Sequence, residues 1–192
     1  MSHYFENDKN LVSEIKPFNI CINGNSFTFN TDNGVFSKGE LDFGTSLLIR
    51  NVLEITSGDI LDLGCGYGAI GIILGKLTNS NVTMSDVNKR AIHLTKMNLK
   101  KNNVSANVIE SDGYENINDK FNYVISNPPI RVGKKILYKL LLDTKDHLKD
   151  NGKLIIVVRK EQGALSLIKD MSEYYKVEVL DKEKGFMIIE LS

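Results

Sequence analysis

Ile60-Leu61-Asp62-Leu63-Gly64-Cys65-Gly66-Tyr67-Gly68-Ala69-Ile70-Gly71 decides the fold of this chain. Ile60 to Leu63 reads as a buried strand, and Ala69 to Thr78 carries the apolar spacing of a helix. Between them lie glycines at alternate positions, so the turn from strand to helix is nearly free of Cβ atoms. Such a turn lets a ligand approach the backbone closely. Gly66-x-Gly68-x-x-Gly71 formally matches the dinucleotide fingerprint, and alone that match does not choose a cofactor.

Outward from this turn, strands and helices alternate. Val82 to Met84 is predicted as a strand, Asn88 to Asn102 as a helix, and Asn107 to Ile109 and Phe121 to Ile125 as strands. The helix Lys134 to Leu148 and the strand Leu154 to Val158 follow. Alternation of this kind predicts right-handed crossovers and a parallel sheet with helices on both faces. The ending differs: a helix from Gln162 to Tyr174 precedes Val177 to Leu180, the turn Asp181 to Gly185, and Phe186 to Leu191. The last two strands are too closely connected for a crossover and should form an antiparallel pair. Upstream, Phe18 to Ile22 and Ser26 to Asn30 flank Asn23-Gly24-Asn25, a hairpin composition. A helical segment with Leu48, Val52 and Ile55 on one face leads into the core. The expected fold is α/β, a Rossmann-like doubly wound sheet of seven strands with an antiparallel C-terminal edge hairpin and a small N-terminal β-hairpin. One domain is expected over 1–192, with 1–45 an extension and hairpin and 46–192 the catalytic core.

The totals restrict function more than they assign it. At 192 residues and 42% hydrophobic the chain can bury one sizeable core. Its 24 basic and 24 acidic side chains balance, so bulk charge attracts no polyanion, and a nucleic acid must be met by a local patch. The two cysteines, Cys21 and Cys65, read as reduced thiols of a cytoplasmic protein, because a bridge at Cys65 would obstruct the glycine turn. Met1 to Asn10 lacks the apolar core of a secretory signal, and no stretch approaches the ~18 apolar residues of a membrane span. His3, His93 and His147 lack metal-ligand spacing, so no metal is expected.

The chemistry is announced by Asn127-Pro128-Pro129-Ile130, directly after the strand ending at Ile125. An exocyclic base amine or a side-chain amide is a poor nucleophile, because its lone pair is delocalised. An Asn oxygen and a prolyl carbonyl can accept its two N–H donors, while successive prolines fix φ and remove competing donors. No strong base is needed, since such a nitrogen becomes acidic only after gaining a methyl group. Asp86 at the end of the second strand suits ribose hydroxyls for either a nicotinamide or an adenosyl cofactor. Asp62, the acidic turn Ser111-Asp112-Gly113 and the Asn-Pro-Pro turn favour a cationic methyl donor. All four loops should emerge at the carboxyl ends of the strands.

These residues resemble the methyltransferase small domain family, class I S-adenosylmethionine enzymes that include bacterial guanine-N2 methyltransferases of small-subunit ribosomal RNA. The resemblance runs from Tyr4-Phe5 through Gly34-Val35-Phe36-Ser37 and Asp42-x-Gly44-Thr45 to Lys184-Gly185-Phe186, with the glycine turn and Asn127 to Lys134 its most specific pieces. It implies that Asp62, Gly64, Cys65, Gly66 and Gly68 line the methionine side of the donor, Asp86 holds ribose, and Asp112 and Gly113 meet the adenine. Asn127, Pro128 and Pro129 form the catalytic turn that grips the target amine, and Asn127 also borders the donor. Ile130, Arg131 and Lys134 meet substrate. The expected activity is methylation of a guanine exocyclic amine in 16S ribosomal RNA, a step of rRNA processing in the cytoplasm. A glutamine-amide methyltransferase acting on a release factor, or a non-catalytic donor- and RNA-binding module, remains open.

Two departures stand out. Many amine methyltransferases carry an aromatic residue after the second proline, where this chain has Ile130; Arg131 could offer a guanidinium plane instead. The best-known ribosomal members also carry a second, degenerate copy of the domain, and this chain is expected to hold only the catalytic copy. Arg131, Lys134, Lys135 and Lys139 could form a basic rim. A solvated helix face also accounts for the lysines, and Lys100-Lys101 fits a helix C-terminus. Phe36 and Phe43 read either as core or as a cover over the donor.

Overall fold

The computed structural model describes residues 12–37 and 39–192. Tyr4-Phe5 and His3 lie outside the described residues. Strands β1 (Lys16–Ile22) and β2 (Asn25–Thr31) form the N-terminal hairpin, with Asn23 and Gly24 both at positive φ in its two-residue turn. There follow α1 (Phe43–Val52), β3 (Gly58–Leu63), α2 (Ala69–Leu77), β4 (Ser80–Asp86), α3 (Lys89–Asn102), β5 (Asn107–Glu110) and β6 (Phe121–Ser126). After them come α4 (Lys134–Asp143), β7 (Leu148–Arg159), α5 (Ala164–Met171), β8 (Val177–Glu183) and β9 (Phe186–Leu191).

The seven-stranded sheet has the order β5-β4-β3-β6-β7-β9-β8. Strands β3 to β7 pair in parallel, and β9 inserts antiparallel between β7 and β8. Chain order reverses between β3 and β6, the position where a doubly wound sheet opens a crevice. Alternating residues separate two cores: Ile60, Met84, Ile125, Ile155 and Ile188 pack on one face, and Leu61, Val124, Leu154, Ile156 and Ile189 on the other. No helix among the described residues is long and apolar enough to cross a membrane.

Three helices differ in their bounds from the sequence expectation, and β7 begins at Leu148 rather than Leu154. Helix α1 stops at Val52, whose carbonyl accepts the Thr56 amide and hydroxyl, and Ile55 is left 41% exposed rather than on the buried face. Helix α4 ends at Asp143 and passes through a 3-10 turn at Thr144–His147. There the buried Thr144 hydroxyl bonds the Leu140 carbonyl and meets the Tyr114 hydroxyl, closing the helix early. Helix α5 occupies only Ala164–Met171, after a 3-10 turn and Gly163 at positive φ.

The hairpin is fastened by a device that periodicity does not reveal. Asn98 and Asn102 lie one turn apart on α3 and face the outer edge of β2. Asn98 accepts from the Asn30 amide at 2.8 Å and donates to the Asn30 carbonyl at 3.0 Å. Asn102 does the same with Thr28, at 3.0 and 2.9 Å. Four helical residues rise about 6 Å and two strand residues about 6.8 Å, so the two amides match the edge as a neighbouring strand would. Asn98 also donates to the Tyr67 carbonyl at 2.8 Å, which joins hairpin, helix and glycine turn. Asn98→Ala removes partners from three buried backbone groups. It should cost about 3 kcal/mol in denaturant unfolding and accelerate amide exchange along β2, since each orphaned group costs ~1–3 kcal/mol and the losses overlap. Unchanged stability and exchange would show that Asn98 does not fasten the hairpin.

Candidate functional site

Parallel register sets the site. Asp62 pairs with Ile125 and Leu63 with Ser85, while Asp86 pairs with Glu110, so the carboxyl ends of β3, β4, β5 and β6 finish nearly level. The buried Ser126 hydroxyl donates to the Leu63 carbonyl at 2.7 Å. It locks the start of the Asn-Pro-Pro turn against the start of the glycine turn.

The glycine turn is held from beneath by backbone and side-chain bonds. Gly64 and Cys65 donate their amides to the Ser85 carbonyl, and Gly66 donates to Asp86 Oδ2 at 2.8 Å. The Thr95 hydroxyl donates to the Gly66 carbonyl at 2.9 Å. Gly64, Gly66 and Gly68 have φ of +72°, +58° and +90°, a region side chains resist, and open space lies where a Cβ would stand at Gly64 and Gly66. Gly71 answers a different need: its Cβ would come within 2.4 Å of Met84 Sδ, so helix and strand could not pack this closely. Tyr67 points down and packs edge-on against Phe18 and Phe29 of the hairpin.

Asp62 is fully buried below this turn. Its Oδ2 accepts the Gly71 amide at 2.8 Å, and its Oδ1 has no hydrogen-bond partner. Burial pushes its pKa up to about 7, opposed by the Gly71 amide, with the Asp86 charge adding to the rise. Burial likewise raises Asp86, whose other oxygen accepts the Asn88 amide at 2.8 Å. Two carboxyls under an open backbone cradle create a field that favours a cation, and an orphaned carboxylate oxygen belongs with a positively charged ligand rather than a phosphate. The Cys65 side chain lies in the core and burial drives its thiol pKa up, so only its backbone faces the cradle. Asp112 is exposed beside Gly113, in a turn shaped by the Ser111 hydroxyl bonding the Gly113 carbonyl.

In the Asn-Pro-Pro turn, Asn127 Nδ2 donates to Thr45 Oγ1 at 2.9 Å. The amide is thereby fixed with Oδ1 as the acceptor left for a substrate N–H. The Pro129 carbonyl already accepts from the Val132 amide in the 3-10 turn at Ile130–Val132, which leaves the Pro128 carbonyl as the candidate second acceptor. Ile130 is half-buried against the α4 and α5 core, and Arg131 is exposed. Lys134 is exposed beside the turn, where its ammonium pairs with Asp170 at 2.7 Å and lies over the Tyr138 ring. Lys139 pairs with Asp143, and Lys135 is exposed. Phe36 is half-exposed, whereas Phe43 packs on Phe186 with ring centroids 5.6 Å apart.

Thr45 and Phe186 entered the sequence reading only as parts of motifs, with no role assigned, and Ser126 was not singled out. Thr45 stands in the first turn of α1, where Asp42 caps its amide at 3.0 Å. The capping pattern Asp42-Phe43-Gly44-Thr45 was the available signal for its place, though not for its partner eighty-odd positions away.

Comparison with known proteins came to one result. The profile of the methyltransferase small domain family matches residues 26–190. The uncharacterized protein YbxB of Bacillus subtilis (strain 168) is 38% identical over 193 residues, covering 97% of this chain and 96% of that protein. Ribosomal RNA small subunit methyltransferase C of Pseudoalteromonas translucida (strain TAC 125) is 40% identical over 154 residues, covering 77% of this chain and 45% of that protein. The chain thus spans about half the length of the methyltransferase C relatives. In fold it is similar to the Thermus thermophilus 16S rRNA N2 G1207 methyltransferase in complex with AdoMet and guanosine. The TM-score is 0.83 at 23% identity over 93% of this chain and 50% of that one.

A carboxyl whose pKa is raised by folding stabilises the fold while protonated, and that contribution is lost as pH climbs from the ordinary carboxylate range to about 7. The ligand-free protein should therefore lose on the order of a few kcal/mol of stability between pH 5 and 8, and Asp62→Asn should flatten that dependence. Unfolding midpoints across this range test it, and a variant with the wild-type slope would place the titration elsewhere.

Proposed function

This chain belongs to the methyltransferase small domain family, and from that premise we propose that it transfers a methyl group from S-adenosylmethionine to the exocyclic amine of a guanine in small-subunit ribosomal RNA. The reading rests chiefly on Asn127, an amide fixed by Thr45 beside an open, anionic backbone cradle. Names borne by the methyltransferase C relatives support ribosomal RNA as the substrate class.

The residues fit the donor: Gly64, Gly66 and Gly68 offer unobstructed backbone, Asp62 and Asp86 offer negative charge, and Asp112 stands at the third strand end for the adenine. When bound, S-adenosylmethionine supplies an electrophilic methyl on a sulfonium and leaves as a neutral thioether. The work of the protein is placement. Asn127 Oδ1 and the Pro128 carbonyl accept the two N–H donors of the amine, which turns its lone pair toward the cradle and holds it against rotation. With the donor in the cradle, the oriented nitrogen would take its methyl group, and the electron pair of the carbon–sulfur bond would remain with the thioether. The methylated nitrogen then sheds a proton to solvent, so no histidine or cysteine is required. The target base must be unpaired or turned out of its helix to reach this depth.

Asn127→Ala should lower turnover by at least about 100-fold, while calorimetric binding of S-adenosylmethionine is retained. Thr45→Val should lower kcat about tenfold or more through a mis-set amide, and Thr45→Ser should restore it. Near-normal turnover in Asn127→Ala would remove the mechanism.

A further inference from the structure

The lip of the crevice beyond Thr45 carries two cations that have no carboxylate partner among the described residues. Gly44 packs so closely on Phe186 that a Cβ there would lie 2.7 Å from the ring, and the next residue, Thr45, holds Asn127. Phe186 and Phe43 form a tilted aromatic pair at the start of α1, the helix whose Thr45 bonds Asn127. Arg159 lies over the Phe186 ring at 4.9 Å, and Lys184 over the Phe43 ring at 4.6 Å. Arg159 ends β7, where it pairs with Phe186, and the Lys160 amide bonds the Gly185 carbonyl, so the tip of the β8–β9 hairpin is fastened to the same lip.

Several cations elsewhere on the surface are paired with carboxylates: Lys134 with Asp170, Lys139 with Asp143, Lys153 with Glu190. Of the acids next to the lip, Glu183 is paired with Arg50, and Asp42 accepts the Thr45 amide. Arg159 and Lys184 are both exposed and meet aromatic rings, without an ion pair among the described residues. A ring beneath a cation restrains the long side chain and leaves the charge available, whereas a carboxylate would neutralise it.

Building on the RNA reading of the catalytic turn, we propose that Arg159 and Lys184, set by Phe186 and Phe43, bind two backbone phosphates of the substrate strand beside the target nucleotide. A chain with no net charge thereby gains an attraction for RNA only where the base must enter. Lys134, which the sequence placed in that role, is engaged with Asp170.

The test is fluorescence anisotropy of a labelled single-stranded oligoribonucleotide across a potassium chloride series. It compares the wild type, Arg159→Ala/Lys184→Ala, and the control Lys96→Ala/Lys120→Ala, two exposed lysines away from the lip. Each phosphate contact on a single strand contributes about 0.7 to the slope of log affinity against log salt, so the lip variant should be shallower by about 1.4. Its KM for RNA should rise, with circular dichroism confirming the fold. A lip variant indistinguishable from the control, with the wild type methylating RNA, would overturn this inference alone. A wild type that neither binds nor methylates RNA would overturn the proposed function and this inference with it. A loss confined to binding of polyglutamate, used as an anionic peptide probe, would also overturn it.

Discussion

Parallel pairing of β3 with β6, locked by the Ser126 hydroxyl on the Leu63 carbonyl, is the constraint on which the site depends. It brings together two turns separated by more than fifty residues of chain, one built of glycines and one of prolines. Neither turn can perform alone. The glycine turn offers an open backbone but no group that could orient an amine. The proline turn offers two acceptors but nothing to present an electrophile. A buried hydroxyl donating to a buried carbonyl fixes their separation in a setting where water cannot compete.

Around this contact the protein places polar groups where packing alone would not hold them. Asn98 joins the hairpin edge, α3 and the Tyr67 carbonyl, so the N-terminal extension acts as a brace for the glycine turn. Asp86 spends one oxygen on the Gly66 amide and the other on Asn88, fixing the same turn from the second strand. Asp62 is the exception, with one oxygen left unpartnered under an open cradle. Such a group is costly in the ligand-free fold, and a cation above it recovers part of that cost. Local instability where a ligand will sit is common in sites shaped for binding.

The sheet was legible because its signals are local. Apolar runs bounded by glycine or asparagine marked the strands, and the short link before Phe186 marked the antiparallel ending. What the pattern could not carry was the insertion of β9 between β7 and β8, or the early end of α4, which is set by a threonine hydroxyl shared with a distant tyrosine. In the candidate site, Asn127 and the glycines stood out because the proposed chemistry calls for those residue types, and the sheet brings their turns together. Thr45 did not, because a threonine in the first turn of a helix has a local explanation, and its bond to Asn127 arises only when the sheet is assembled. Lys134 suggested substrate contact from its position next to the Asn-Pro-Pro turn, and its surface pairing with Asp170 on a neighbouring helix is a contact that the sequence pattern did not signal.

The central claim is that this geometry methylates an exocyclic guanine amine in small-subunit RNA. Its most direct test is incubation of small ribosomal subunits and their naked RNA with labelled S-adenosylmethionine, followed by mass spectrometry of the digested nucleosides. The account predicts label in N2-methylguanosine from small-subunit RNA. Label in glutamine of a release factor, or no label in RNA despite bound donor, would contradict it.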